Sequence, residues 1–548
     1  MNLSKLTATA LCAFLALASP ILPSTGPEIL SVSSRDQTID TVQDIDFWNV
    51  TKLEKRAKKK KDQQIHCEVS PWYRHKGFDT CITLTNATPY RWRKGFSHSY
   101  QMDRWARWPD FIEPGEAFTN AVRHKVGLYH KDTAAEVVYH LEGTDRPTSF
   151  MVEFRKGGKH KIWVRFLEEL ETANLPKGAE IDLGWHKRPD GQFFLLAGKE
   201  GDFISTNGPD GWMQSMMEDI GDVSLAEIVM GRSHHSGSYV SDVVRLAQTG
   251  TTQCQTKDIS HQLREGGVRV MDMRLARWWD KAGKSLFYEV HGAMLGGWHG
   301  SRGATYDEII EAINKFNDDV PGELIIFDVH AEAFVYKEYD YLKLKASDRA
   351  DFYDFLKQKL KHRLELPETE DYTKLPVKDF IGDGKSAVII RIDQSWIDKD
   401  GADSFPGAHE GFVTSANFPL ISRWSDTDSI ERLREDQLSN MRKHRQGPTD
   451  LKRKPRTFFD MQWLLTLQGL SNFAPQWSVV QLNRREAWVS LFHHAWSAFT
   501  VDQYPSWLTV DAVREGEFKS IVMAMNKCFV ARACGDWTKK ERPRKMER

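Results

Sequence analysis

Two adjacent histidines provide the clearest signal for acid–base chemistry in this 548-residue chain. His234 and His235 directly follow an apolar run that is predicted to form a β-strand. Gly231 and Gly237 lie on either side of the pair and allow a tight turn. We therefore expect both imidazoles at the carboxyl end of a strand, where loops begin.

Two further segments carry charged or titratable side chains at predicted strand ends. Asp272 and Arg274 are two residues apart in an apolar run, so they share one face of the strand. A third histidine, His291, ends the next apolar run. Charged groups on the inner face of a barrel are costly to bury without a partner, and a bound anion would provide one.

These residue types together suit the cleavage of a phosphodiester by a neighbouring hydroxyl group. One side chain must take the proton of the attacking hydroxyl, and another must protonate the leaving alkoxide. Histidine suits both roles because its pKa lies near neutrality. Arginine suits the phosphoryl oxygens because its guanidinium can contact two of them at once.

The region from residue 211 to 548 alternates apolar strand-like runs with segments of helical periodicity. Strands are predicted at residues 227–231, 268–275, 286–291, 323–330, 386–392, 411–415 and 477–482. Helices are predicted at residues 305–317, 348–364 and 426–444. This alternation indicates a parallel sheet, and roughly eight repeats favour a closed (β/α) barrel of the TIM type. Active sites of such barrels lie where the strands end.

The region before the barrel has a different pattern of apolar and polar residues. Residues 65–207 contain many short alternating runs separated by turn sequences, which predict an antiparallel β-sandwich domain. Residues 19–64 are polar and then basic, as in a pro-segment or linker. Within them, Lys55-Arg56 is either a dibasic processing site, of the kind used in fungal secretion, or part of a solvated basic stretch.

The N-terminus predicts secretion. Residues 1–18 combine Lys5, an apolar run and the sequence Ala16-Leu17-Ala18, as in a cleaved signal peptide. We therefore expect an extracellular glycoprotein with sequons at Asn49 and Asn86.

Secretion also favours disulfides, and five cysteines remain once Cys12 leaves with the signal peptide. The expected pairs are Cys67–Cys81 and Cys528–Cys534, which leaves Cys254 as a free thiol.

Composition excludes some partners. A net charge of −1, from 75 basic and 76 acidic residues, gives no overall attraction to nucleic acid. No later segment has the length of a transmembrane helix, and no Cys/His cluster has the spacing of a zinc site.

Three segments resemble the X-box of the phosphatidylinositol-specific phospholipase C family. They are Ser-His-His-Ser-Gly-Ser-Tyr at 233–239, Gly-Val-Arg-Val-Met-Asp-Met-Arg at 267–274 and Val-His-Gly at 290–292. The runs at 323–330 and 385–391 are similar to later barrel strands of that family, and the resemblance covers residues 215–500. The front half also resembles the sandwich that precedes such barrels in fungal secreted proteins of this type.

The resemblance implies a role for each residue of the motifs. His234 matches the general base and His291 the general acid, with Asp272 and Arg274 at the phosphate. Calcium-dependent relatives carry an acidic residue at the position of Arg274, so the resemblance implies a reaction without metal or other cofactor.

The resemblance also implies contacts to the substrate, a phospholipid at a membrane surface. Arg391 matches an arginine that contacts inositol hydroxyls, and His330 stands where bacterial relatives have a lysine near the headgroup. His235, which we also expect at the substrate, replaces the Asp or Asn that is usual beside the base. For the acidic residue that orients His234, the run at 477–482 offers only Gln481 or the following Asn483.

Two other functions remain open at this point. A metal-dependent glycerophosphodiester phosphodiesterase on the same fold would use Asp272 and Glu289 as ligands. Alternatively, a catalytically inactive protein would bind membrane or glycan through the sandwich.

Overall fold

The computed structural model describes most of the chain from residue 79 to residue 542. The ranges not described within it are 106–107, 126–129, 158–160, 187–189, 245–246, 280–281, 295–297, 330–333, 338–339, 401–403, 446–456 and 469–476. The predicted signal peptide, the linker, Cys67, Asn49 and His330 lie outside the described residues. All described residues belong to one compact unit, and the predicted boundary near residue 210 stays a prediction.

Two sheets occupy the region before the barrel. Their strands are β1 (Asp79–Ala87), β2 (Arg91–Tyr100), β3 (Met102–Arg104), β4 (Phe111–Ile112), β5 (Ala117–His124), β6 (Ala134–Glu142), β7 (Thr148–Arg155), β8 (Lys161–Glu168), β9 (Glu180–Gly184), β10 (Gln192–Ala197) and β11 (Ile204–Ser205). The strand orders are β11-β10-β1-β5-β3 and β4-β2-β6-β7-β8-β9. The neighbouring strands run antiparallel, as predicted, except that β1 and β10 run parallel.

The two sheets bury one shared apolar cluster. Trp92 and Phe150 come from one sheet and Phe194 from the other, and their ring centroids lie 4.8–6.4 Å apart. Alternation along β6 and β8 points every second side chain into this cluster. The period-2 pattern in the sequence therefore predicts correctly which faces are buried.

Fourteen further strands follow residue 211 within the described part of the chain. They are β12 (Met230–Ser233), β13 (Asp242–Val244), β14 (Val268–Met273), β15 (Leu275–Trp279), β16 (Ser285–Met294), β17 (Trp298–Thr305), β18 (Leu324–Val329), β19 (Phe334–Lys337), β20 (Asp340–Lys343), β21 (Ala387–Ile392), β22 (Phe412–Thr414), β23 (Ile421–Ser422), β24 (Phe459–Gln462) and β25 (Trp507–Val510).

Eight of these strands form a parallel sheet in the order β22-β21-β18-β14-β12-β25-β24-β23. Among the described strands β22 and β23 stand at its two ends, so the sheet is a TIM-like half-barrel and not a fully paired closed barrel. Its central strands are buried on both faces, which explains their continuous apolar sequences.

Two runs that were predicted as strands of the parallel barrel are not part of the parallel sheet. The run at 286–291 lies in β16, which pairs antiparallel with β15 and β17 in a second sheet of order β13-β17-β16-β15-β19-β20. The chain between β15 and β16 is too short for the helical crossover that a parallel strand requires. The run at 477–482 contains a helix instead, because Ser478 and Gln481 form a capping box at its start.

The helices cover the sheet as predicted, with shifts at their ends. They are α1 (Trp212–Ser215), α2 (Met217–Ile220), α3 (Thr249–Thr252), α4 (Ile259–Arg264), α5 (Tyr306–Asp319), α6 (Ala346–Lys359), α7 (Lys378–Ile381), α8 (Gln394–Asp400), α9 (Ile430–His444), α10 (Val479–Leu482), α11 (Trp488–Ser490), α12 (Trp496–Ala498) and α13 (Glu517–Met525). Short 3₁₀ segments lie at Tyr372–Lys374, Gly382–Gly384, Ala408–Glu410 and Asp536–Lys539, and π-helical segments at Asn483–Ala487, Leu491–Ala495 and Asn526–Val530. Thr305 and Glu308 form the capping box that starts α5. Within the described residues, no helix combines the length and hydropathy needed to cross a membrane.

The cysteines follow the expected pattern where the structure describes them. Cys528 and Cys534 form a disulfide, and Cys254 is a buried free thiol, so both predictions are confirmed. Cys81 is disulfide-bonded, while its expected partner Cys67 lies outside the described residues.

The prediction of a surface glycosylation site at Asn86 is wrong. The side chain is buried, and its amide nitrogen donates to the carbonyl oxygens of Tyr90 and Ile112. The asparagine therefore holds a turn together and has no space for a glycan.

Candidate active site

The loop after β12 brings two imidazoles to the carboxyl end of the half-barrel. His234 and His235 follow the last residue of this strand, and His235 has a left-handed backbone with φ of 44°. Gly237 continues the turn, and a Cβ at this position would lie 2.6 Å from the Cβ of Glu289. The glycine is therefore required because the loop packs directly on a neighbouring strand.

His234 is oriented by a carboxylate that the sequence prediction missed. Its Nδ1 lies 2.8 Å from Oδ1 of Asp511, which directly follows β25 and is buried. Asn483 donates to the other oxygen of Asp511 at 3.2 Å, so the proposed orienting role of Asn483 is indirect. Burial raises the pKa of Asp511, although the bond from His234 opposes this effect. An apolar run at 507–510 followed by an acidic residue was the signal for this strand end.

His291 reaches the same place from the antiparallel sheet. It lies in β16, and its Nδ1 is 2.8 Å from the carbonyl oxygen of Thr252. Since a carbonyl only accepts, this nitrogen carries the hydrogen and Nε2 keeps a lone pair in the neutral ring. Sγ of Cys254 lies 3.4 Å from the same nitrogen. Burial, together with the nearby His234, lowers the pKa of His291 to about 4.

The three histidine rings form one cluster. The ring centroids of His234 and His291 are 6.3 Å apart, and His235 stacks on His291 at 4.1 Å. Nδ1 of His235 is 3.0 Å from Oε1 of Glu289, and the other oxygen of Glu289 accepts from the backbone N–H of Arg274 at 2.6 Å. Burial lowers the pKa of His235 and raises that of Glu289, so it favours the uncharged form of both groups.

The positive charge of Arg274 lies beside this cluster. Its Nε is 3.3 Å from Oδ1 of Asp272, its side chain is 24% exposed, and its charge contributes to the lowered pKa of His291. Asp272 is therefore the partner that Arg274 has in place of the acidic group missing at position 235. The convergence of His234, Arg274 and His291 on one phosphoryl group stays a prediction.

Asp272 also belongs to a buried network of ion pairs. Arg232 lies 3.1 Å from Asp272, 2.8 Å from Asp328 and 3.5 Å from Asp460, and these four side chains are at most 1% exposed. Arg391, predicted to contact the substrate, donates to Asp328 at 2.7 Å and to the carbonyl oxygen of Phe418 at 3.0 Å. Arg391 is also largely buried, so its substrate contact stays a prediction.

The pKa of His291 leads to a prediction about stability. Between pH 6.5, the ordinary value, and about 4, the unfolded chain binds a proton that the folded chain does not. The free energy of unfolding should therefore fall as the pH decreases through this interval, by about 1–3 kcal/mol from this group. Urea denaturation in chelator at pH 7 and pH 4.5 measures this decrease in the free energy of unfolding. The variant His291→Gln should lose less stability on acidification than the native chain. Equal losses in both proteins would contradict the prediction.

Comparison with known proteins identifies a distant likeness. No model of a protein family matches the chain, and no curated protein matches it significantly. Solved structures of phosphatidylinositol-specific phospholipase C from Staphylococcus aureus are similar to it, one with a TM-score of 0.40 at 14% identity over 58% of this chain and 98% of its own length. Another has a TM-score of 0.40 at 15% identity over 59% of this chain and 99% of its own length. At this distance, the chemistry of the chain has to be inferred from its own side chains.

Proposed function

We propose that the chain is a phosphoric diester hydrolase or lyase of phospholipase C type, which cleaves an inositol phospholipid or a related phosphodiester. The supporting observation is the pair His234 and His291, whose ring centroids are 6.3 Å apart and whose Nδ1 atoms both have fixed partners. Both Nε2 atoms are thereby left for the substrate. A phosphoryl group near both rings would have a proton acceptor on one side and a proton donor on the other.

The reaction proceeds by transfer within the substrate. Nε2 of His234 takes the proton of the hydroxyl next to the phosphate, and that oxygen bonds to phosphorus. The bond from phosphorus to the leaving alkoxide then breaks, and His291 gives the alkoxide a proton. The guanidinium of Arg274 stabilises the negative phosphoryl oxygens.

His291 must gain a proton before it can act as the acid. Burial lowers its pKa to about 4 in the free chain, which favours the neutral ring. A bound phosphodiester anion would oppose this effect by Coulomb attraction and favour the imidazolium. Binding of the substrate therefore prepares the acid.

An inositol phospholipid fits this scheme because its headgroup carries a hydroxyl beside the phosphodiester. The resemblance of residues 215–500 to the phosphatidylinositol-specific family supports the same substrate class. A secreted chain with an N-terminal β-sandwich would act on such a lipid at a membrane surface, and Arg391 and His330 would contact the headgroup. The products would be a diacylglycerol-type lipid and a cyclic inositol phosphate.

The two carboxylates of the metal-dependent alternative already have partners. Asp272 lies at 3.1 Å from Arg232 and 3.3 Å from Arg274, and Glu289 accepts from the backbone N–H of Arg274 and contacts His235. The guanidinium groups of Arg232 and Arg274 oppose a divalent cation at Asp272, and both oxygens of Glu289 are already occupied. We therefore expect cleavage to continue in chelator.

The substrate requirement tests this proposal. Vesicles of phosphatidylinositol and of its 2-O-methyl inositol analogue would be incubated with the secreted chain in EDTA. The natural lipid should be cleaved and the methylated one should not, because only the first has the attacking hydroxyl. Cleavage of both at equal rates, or cleavage that requires added Ca²⁺ or Mg²⁺, would overturn the mechanism.

Asp511→Asn should lower kcat by about 100-fold or more with little change in KM. Without the carboxylate, His234 loses the partner that fixes its tautomer and stabilises the imidazolium. Steady-state cleavage of phosphatidylinositol measures the effect. Asp379→Asn, at an exposed position of α7, is the matched control and should leave kcat unchanged. A kcat for Asp511→Asn equal to that of the control would refute the orienting role.

A further inference from the structure

Cys254 lies among polar groups in the candidate active site, and the mechanism above does not use it. The thiol is buried, and its Sγ is 3.4 Å from Nδ1 of His291. A carboxylate oxygen of Asp511 lies within 4.8 Å of the sulfur, and the carboxylate also contacts Nδ1 of His234. The thiol and the carboxylate thus lie close to the Nδ1 atoms of the two imidazoles that are proposed as acid and base.

Three of these groups lie close enough together to bind a metal ion after small movements. The ligand atoms of His234, Cys254 and Asp511 all lie within 4.8 Å of one another. Tetrahedral zinc binds sulfur at about 2.3 Å and nitrogen or oxygen at about 2.0–2.2 Å, which separates its ligand atoms by about 3–4 Å. The 2.8 Å contact between His234 and Asp511 would have to open slightly, and the wider separations would have to close by about 1 Å.

We propose that His234, Cys254 and Asp511 form an inhibitory site for Zn²⁺ or a similar borderline-soft divalent ion, with Nδ1 of His291 or a water as the fourth ligand. This regulation rests on the proposed function. One thiolate, one carboxylate and imidazole nitrogen are a donor set that zinc accepts, whereas Ca²⁺ and Mg²⁺ prefer oxygen ligands. The site is separate from the Asp272–Glu289 pair of the metal-dependent alternative.

Binding at this site would disable the general base through its tautomer. A metal at Nδ1 of His234 replaces the hydrogen that Asp511 now accepts, so the neutral ring must carry its hydrogen on Nε2. That nitrogen can then no longer accept the proton of the attacking hydroxyl. The binding step is a ligand exchange without oxidation: Cys254 releases its thiol proton to solvent, and the ion loses bound waters.

Metal binding can be tested without any assay of cleavage. The full secreted chain would be freed of metal and titrated with Co²⁺, while thiolate-to-cobalt charge-transfer absorption is recorded. The native chain should show this band, and Cys254→Ser and Cys254→Ala should lack it. Equilibrium dialysis with Zn²⁺ should show at least about tenfold weaker binding to both variants, since even loss of a group behind a ligand costs that much.

The matched control is His362→Gln. His362 contacts Asp318 at 2.7 Å on the surface, so it is a histidine–carboxylate pair outside the site. This variant should keep both the cobalt band and the zinc affinity of the native chain. Thermal unfolding identifies any variant that fails to fold, and the two substitutions at position 254 give independent chances of a folded protein.

A second experiment measures how strongly Zn²⁺ inhibits cleavage. Zn²⁺ should inhibit cleavage of phosphatidylinositol by the native chain at least tenfold more strongly than by Cys254→Ser, each compared with its own rate in chelator. Absence of the cobalt band in the native chain, or equal zinc affinity in native and variant chains, would overturn the site. Equal inhibition of both would overturn the regulation. If no diester is cleaved at all, the cobalt band still decides the site, so failure of the proposed function remains distinguishable.

Discussion

Replacement of either His234 or His291 by alanine should reduce the rate of phosphodiester cleavage by about 10²–10⁴-fold. Each ring has a fixed partner at Nδ1 and would supply one of the two proton transfers. Initial rates on phosphatidylinositol vesicles in EDTA measure the loss. The double variant should be little slower than either single one, because groups that act as a unit are not additive.

The matched control for both variants is His409→Ala. His409 is 68% exposed, and its change should leave the rate within about twofold, as expected for a surface position away from special features. Thermal unfolding of each variant shows whether it is folded. A folded His234→Ala or His291→Ala with the rate of this control would show that the histidine does not take part.

Arg232→Met should destabilise the folded chain by about 3–5 kcal/mol, which is the usual cost of removing one partner from a buried ion network. Arg232 is 1% exposed and contacts Asp272, Asp328 and Asp460, so methionine would leave their negative charges buried without it. Urea denaturation at pH 7 measures the free energy of unfolding. The loss should be smaller at pH 5, because burial raises the pKa of Asp460 and this carboxylate can take up a proton more readily once Arg232 is gone.

Arg442→Met is the control for this second change. Arg442 forms an exposed ion pair with Glu541, both about 40% exposed, and its loss should cost less than about 1 kcal/mol. If both substitutions destabilise the chain equally, the network around Arg232 does not stabilise the fold beneath the site.

The local sequence pattern alone predicts where several residues of the candidate site lie in their strands and turns. Asp272 and Arg274 could be placed on one face of a strand because side chains alternate with period two. The glycines beside His234 and His235 correctly predicted a turn at a strand end. These features depend only on residues close together in the chain, so they can be inferred without the fold.

Contacts between distant segments could not be inferred in the same way. Asp511 and His234 are 277 residues apart, and they meet only because β12 pairs with β25. Periodicity predicts that a strand exists but not which strand lies beside it. For the same reason, nothing in the sequence around Cys254 indicates that its thiol faces His291.

His291 lies in the imidazole cluster although the element predicted for it is wrong. The apolar run before it predicts a barrel strand, whereas β16 belongs to the antiparallel sheet. The short connection after β15 was the signal against a parallel crossover. The imidazole nevertheless reaches the cluster, because β16 passes beside the loop that carries His235, as the close packing of Gly237 on Glu289 shows.

The most direct test of the central proposal is ³¹P NMR of phosphatidylinositol vesicles incubated with the native chain in excess EDTA. Two imidazoles acting on one phosphoryl group without a metal should produce the resonance of a five-membered cyclic phosphate, and this resonance should be absent with His234→Ala. Direct formation of an acyclic phosphate monoester, or a cyclic product that appears only after Ca²⁺ or Mg²⁺ is added, would contradict it.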